Sequence, residues 1–184
     1  MASVEPRTKT WTRKEYHRAG QLGLFDADRV ELIHGEILMM SPMNPRHAAA
    51  IQLVAAALLE AISDEYSVRV QLPIAIGNDS EPEPDVAVVM GQPRDFLKHH
   101  PSSATLIVEI SDSTLAFDRS QKRQLYASAH VDEYWVLNLV DGRLEVYSEL
   151  ADGKYAREEL KSGDEQIEIC LPARCSIPVG NLLP

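Results

Sequence analysis

Polar and apolar positions along the chain fall into short apolar runs separated by stretches with helical spacing. Thr12-Arg-Lys-Glu15 matches a capping box, which predicts a short supporting helix from about there to Gly20. Val30-Glu-Leu-Ile-His-Gly-Glu-Ile-Leu-Met-Met40 reads as two strands joined by a two-residue turn at His34-Gly35. In that register Ile33 opposes Glu36, and the two-residue period puts Glu31 and Glu36 on one face. Asn44 is a good N-cap and Pro45 suits the first helical position, so a helix is expected to run to about Asp64. Its apolar stripe is Ile51, Val54, Leu58 and Ala61 or Ile62, and one turn back from Ile51 lies His47.

Val68 to Ile76 alternates well enough for a strand, with Pro73 marking an edge or a bulge. Gly77 to Pro84 is a polar, turn-rich loop whose acids are expected to be solvated. Pro84-Asp85-Val-Ala-Val-Val-Met90 and Leu106-Ile-Val-Glu109-Ile-Ser111 are nearly continuous apolar runs and read as central strands covered on both faces. Between them, Gly91 to Ser103 is a loop with a short helix around Asp95 to His99. The pair His99-His100 has no further ligands at useful spacing and is assigned to the surface. A helix is expected from Asp118 to about Ala129, with Asp118, Lys122, Leu125 and Ala129 on one face. Glu133 to Val140 is rich in strand formers, and Asp141-Gly142 turns the chain into Leu144-Glu-Val-Tyr147. Asp152-Gly153 turns it again, and the remainder, with Gln166 to Cys170, supplies strands that extend or cover the sheet. Trp135 is assigned to the core and Tyr134 to an edge.

The length of 184 residues suits one domain, and 45% apolar content excludes wholesale disorder. No apolar run is long enough to span a bilayer, and Met1-Ala-Ser-Val-Glu-Pro-Arg-Thr-Lys9 lacks the apolar centre of a secretory signal. A soluble, cytoplasmic protein is the expectation, with Cys170 and Cys175 as buried thiols in preference to a disulfide. The formal charge of -10 counts against coating nucleic acid by bulk electrostatics. Arg119, Lys122 and Arg123 form the densest local basic cluster.

Asp85 and Glu109 each put one carboxylate into an apolar strand, which costs roughly several kcal/mol unless the charge is paired. Two such carboxylates meeting Lys122 could hold a hard cation against a phosphodiester. The bland alternative for Lys122 is a surface pair with Asp118, worth about 0.3–0.5 kcal/mol; its place on the packing face favours the functional reading. For His47, near a helix N-terminus whose dipole disfavours its charged form, a neutral structural histidine is the favoured reading. Contact with a water or phosphate is the sharper one. Glu31 and Glu36 could either reach the site or stay solvated.

The order helix-strand-strand-strand-helix-strand, with Pro84-Asp85 and then Glu109, resembles the PD-(D/E)XK nuclease superfamily, and within it a bacterial family of restriction endonucleases. The likeness is carried by Glu31-Leu-Ile-His-Gly-Glu36, Ser41-Pro42, His47, Pro84-Asp85-Val86, Val108-Glu109-Ile110-Ser111, Asp118, Lys122, Tyr126 and Glu133-Tyr-Trp135. It implies an α/β fold of the α+β mixed-sheet kind: a restriction-endonuclease-like core with an N-terminal hairpin and extra C-terminal strands. It also implies a magnesium site, with manganese as a substitute, held by Asp85, Glu109 and the Ile110 backbone carbonyl, and completed by Glu36 or Glu31. The superfamily lysine stands two residues after the glutamate, where this chain has Ser111. The closer family places it on the following helix, which makes Lys122 the candidate. The expected activity is hydrolysis of DNA by a metal-activated water, with Lys122 positioning that water or stabilising the transition state. Asp118 would orient Lys122. Asp85→Asn and Lys122→Ala are expected to abolish cleavage. The alternatives are a nucleic-acid-binding or regulatory module on the same scaffold without turnover, and an interaction protein that forms a homodimer through its C-terminal sheet.

Overall fold

The computed structural model describes residues 7–171 and 175–184. Met1 to Pro6, on which the reading of the N-terminus partly rests, lie outside them. Among the described residues no helix is long and apolar enough to cross a membrane.

The capping box forms as expected: Thr12 and Glu15 bond each other's backbone N–H and start α1 (Arg13–Gln21). The hairpin β1 (Val30–Ile33) and β2 (Glu36–Met39) has the expected register, Ile33 opposite Glu36, with His34 and Gly35 both at positive φ in the turn. Asn44 and Pro45 open α2 (Pro45–Ala61), which ends three residues before Asp64, at a C-cap residue, Ile62, in extended conformation.

The sheet is six-stranded, in the order β3 (Tyr66–Val70), β4 (Val86–Met90), β5 (Leu106–Ser111), β6 (Glu133–Asn138), β7 (Arg143–Ala151), β8 (Lys154–Lys161). Only β5 and β6 run parallel, so their connection must cross over the sheet, and it does so as a helical segment. The result is a mixed α/β architecture in which α2, β3, β4, β5, a helical crossover and β6 follow in the expected order. A two-stranded sheet of β9 (Gln166–Glu168) and β10 (Ser176–Pro178) closes the α2 side.

Strand alternation sorts the interior into two layers. Val86, Val88, Leu106, Val108 and Ile110 face α2 with Val54 and Leu58, while Ala87, Val89 and Ile107 face the crossover helix with Leu125 and Tyr126. The same parity puts Asp85, Glu109 and Ser111 on the crossover side.

The crossover is not one regular helix from Asp118. It begins with a turn, α3 (Leu115–Phe117), passes through a π turn over Asp118–Lys122, and ends as α4 (Arg123–Ser128). The expected strand Val68 to Ile76 stops at Val70, because Gln71 takes φ 49° and Pro73 lacks a ladder donor. Glu81, expected in a solvated loop, is 3% exposed and paired with His17 at 3.0 Å and Arg13 at 3.6 Å, since α1 docks on that loop. Tyr134 is fully buried instead of at an edge: β7 and β8 extend the sheet beyond β6, and Tyr134 stacks on Tyr147 with ring centroids 5.7 Å apart. Cys170 is exposed, and Cys175 is half-buried. The short helix in the 91–103 loop is a 3-10 turn at Pro93–Phe96.

Arg119 and Arg123 do not gather at the carboxylates. Arg119 bonds buried Glu145 on β7 at 2.8 Å, and Arg123 lies over the Tyr147 ring. These contacts pin the crossover to the far strands. Burial alone would raise the Glu145 pKa, but bonds from Arg119, Asn138 and Tyr147 outweigh it and leave the value below normal. Glu145 therefore stabilises the fold fully above the ordinary value of 4.5, and that contribution is lost as pH falls through the lower folded-state value. The stability gap between wild type and Glu145→Gln should narrow in acid. Thermal unfolding of both proteins from about pH 7 to about pH 3 measures it, and a constant gap would remove the ion pair as its source.

Candidate active site

Parity and strand ends together deliver the acids. Asp85 stands immediately before β4 and Glu109 within β5, whose last pairing with β4 is Val86 opposite Val108. Past that pair the Ile110 N–H has no β4 carbonyl to meet and instead donates to Asp85 Oδ2 at 2.9 Å. A strand residue's N–H and C=O leave the same edge, so the Ile110 carbonyl faces Asp85 as well. The Asp85 N–H in turn reaches Glu109 Oε2 at 3.4 Å.

The π turn brings in the cation. Lys122 is 6% exposed, and its Nζ lies 3.0 Å from Glu109 Oε1 and 3.4 Å from Glu31 Oε1. Tyr126, one turn on, donates its hydroxyl to the same Glu109 oxygen at 2.7 Å. Glu31 also accepts the Glu83 N–H at 3.2 Å, which ties the hairpin to the site. Asp118 does not pair directly with Lys122: it accepts hydrogen bonds from Ser111 and, at 2.6 Å, from Thr114. Serine at the superfamily's lysine position thus braces the π turn. His47 Nε2 lies 3.2 Å from the Asp85 carboxylate, and Gln71 donates to it at 3.2 Å.

The structure therefore brings Asp85, Glu109, Lys122, Glu31, His47, Asp118 and Ser111 into one neighbourhood, and leaves Glu36 out. Glu36 shares the face of Glu31 but sits two residues nearer the turn, about 7 Å along the strand, and is exposed. Sequence reasoning gave no role to Tyr126 or Gln71. Tyr126 had a usable signal, four residues after Lys122 on the same helix face. Gln71 had none, because its reach depends on a positive φ just past a strand end.

The electrostatics show a shortage of positive charge. Burial pushes Glu109 up to about 8 against the pull of Lys122, with Asp85, Asp118 and Glu31 adding to the rise. Burial also raises Asp118. Burial opposes the Lys122 ammonium, but Glu109, Glu31 and Asp118 more than compensate and raise its pKa, so it stays charged. For Asp85, burial is outweighed by the bond and charge of His47 and by the Ile110 N–H, and its pKa falls. His47 is raised, chiefly by its bond to Asp85. The carboxylate thus favours the proton on His47, against the pull of the helix dipole.

These groups line a cleft of about 400 Å³ between the hairpin, the start of α2 and the crossover. Among the described residues no group of three or more acids, histidines or cysteines is placed to hold a metal ion. An open set of two carboxylates and a carbonyl still fits magnesium, which keeps several waters and shares its shell with substrate phosphate.

A family model described as "Uma2: Putative restriction endonuclease" matches residues 13–180. The chain belongs to the Uma2 family. No curated protein matches it. The Uma2 chain is similar in fold to a crystal structure described as a "putative nuclease" from Anabaena variabilis, with a TM-score of 0.66 and 15% identity, over 84% of this chain and 89% of that one.

Removing the Lys122 ammonium would leave Glu109 and Glu31 buried without their cation. In chelator, Lys122→Met should cost about 3–5 kcal/mol in urea unfolding. Adding Glu109→Gln should recover part of that loss. Equal stability of wild type and Lys122→Met would show that the contact carries no energy.

Proposed function

We propose that this Uma2 protein is a divalent-metal-dependent endonuclease that hydrolyses DNA phosphodiester bonds. The observation that carries the reading is the meeting of Asp85, Glu109 and Lys122 in one open cleft, with Lys122 arriving from the crossover helix. Family membership supports the same class of reaction.

In this reading Asp85, Glu109 and the Ile110 carbonyl would hold magnesium or manganese, and Glu31 lies beside them. A bound ion would supply Lewis-acid polarisation of the phosphodiester and would lower the pKa of a water. Lys122, kept charged by its acidic neighbours, stabilises the negative charge that builds on the phosphoryl oxygens. His47, whose proton is favoured by Asp85, donates to a phosphate oxygen or a water at the cleft mouth. Ser111 and Thr114 hold Asp118, and Asp118 holds the π turn that aims Lys122.

A second reading, a nucleic-acid-binding module without turnover, draws support from one contact: Lys122 already occupies a Glu109 oxygen that a metal would use. Calorimetric titration with magnesium and manganese separates the two, since the inactive module would take up neither. For the enzyme, chelator should abolish cleavage of plasmid DNA and either metal restore it. Asp85→Asn and Glu109→Gln should each lower the rate by at least about 100-fold, with circular dichroism unchanged. Wild-type rates in both variants would reject the assignment.

A further inference from the structure

The Asp85 carboxylate is met by Ile110, His47 and Gln71, and of these only Gln71 has no role in the reading so far. A carboxylate plane turns about its χ2 bond in a broad well unless its two oxygens are held separately. The Ile110 N–H holds Oδ2 at 2.9 Å, and an anchor on Oδ2 alone lets the group swing about that bond. His47 Nε2 lies 3.2 Å from Oδ1 and 3.2 Å from Oδ2, astride the group, so it does not fix the rotation of the plane. The donor that singles out Oδ1 is Gln71 Nε2, at 3.2 Å.

The backbone at Gln71 leaves the strand conformation where it makes that contact. The β3–β4 ladder ends with Val70 opposite Val86; the Gln71 N–H then donates to the Asp85 carbonyl at 3.1 Å, and the residue takes φ 49°. Positive φ is uncommon for glutamine, and residues held there gather at ligand sites. Gln71 thus grips Asp85 by its main chain and by its carboxylate, and it lines the same cleft as Glu109 and Lys122. An ionised carboxylate only accepts, which turns the amide NH2 toward it. Because the amide is neutral, it fixes the oxygen without adding a positive charge that an incoming cation would have to overcome.

We propose that Gln71 is a positioning residue that clamps the Asp85 carboxylate in the rotation needed to ligate a divalent cation. The proposal rests on the reading of Asp85 as a metal ligand. Groups that orient a ligand from behind typically carry about 10- to 100-fold in metal affinity.

A residue that merely forms a turn and one that clamps Asp85 respond differently to substitution. Asparagine and glycine both accept positive φ more readily than glutamine, but asparagine is one methylene shorter and glycine has no side chain to reach Oδ1. The test compares the full chain with Gln71→Asn and Gln71→Gly. Manganese binding is measured by calorimetry, stability by urea unfolding in chelator, and exchange of the Ile110 amide by NMR in chelator, with the Val108 amide of the same strand as the internal control. Both variants should keep wild-type stability, bind manganese at least about 10-fold more weakly, and exchange the Ile110 amide faster relative to Val108, since the Asp85 oxygen that accepts it is no longer steadied. Wild-type affinity in either variant, or a loss of affinity matched by earlier unfolding in urea, would overturn the proposal. If wild type binds neither manganese nor magnesium, the reading of Asp85 as a metal ligand fails on its own. The exchange comparison then still decides the clamp: faster exchange at Ile110 in the variants upholds it, and an unchanged ratio to Val108 ends it.

Discussion

Four acids, Glu31, Asp85, Glu109 and Asp118, are buried within reach of one lysine, and the desolvation of each carboxylate costs roughly several kcal/mol. The rest of the structure is arranged around meeting that cost. Lys122 answers two of the acids, His47 and the Ile110 N–H answer Asp85, and the hydroxyls of Ser111 and Thr114 answer Asp118. The acids and their partners together come from the hairpin, α2, the central strands and the crossover, so the same charges that burden the interior also bind its pieces to one another. The match is incomplete, and the raised pKa of Glu109 records the deficit. That deficit, in an interior open on one side to solvent, is what the proposed divalent ion would answer.

The π turn is the geometric counterpart of that electrostatic demand. A π turn holds one more residue than an α turn and shifts the face that follows, and such turns occur often at functional sites. Here the turn places Asp118 and Lys122 inward while Arg119 points across to Glu145 on β7. The crossover is held at both levels, by hydroxyls bonded to Asp118 below and by the Arg119 and Arg123 contacts with the outer strands above.

Much of this was legible because it follows from local rules. The capping box, the hairpin register at His34-Gly35, the Asn44-Pro45 helix start and the two central strands each depend on residues that are neighbours in sequence. That Asp85 and Glu109 share one side came only with the register of the two strands, Val86 opposite Val108. What escaped depended on partners distant in sequence. Glu81 looked like a loop acid until α1 packed over it, and Tyr134 looked peripheral until β7 and β8 widened the sheet. The bond of His47 to Asp85, 38 residues away, was likewise hidden, whereas the helix dipole that opposes it is visible in the sequence. Glu36 and Glu31 could not be told apart by alternation, because distance along a strand, not facing, separated them.

Ser111 and Lys122 show how one position for a charge can be reached from more than one element. A long side chain on a helix can set its ammonium beside a strand glutamate, so the charge occupies its spot while its backbone anchor lies on another element. What the geometry fixes is a point in space, not an address in the chain. Motifs written as consecutive letters would pass over a protein built this way, whereas a template of atoms would find it.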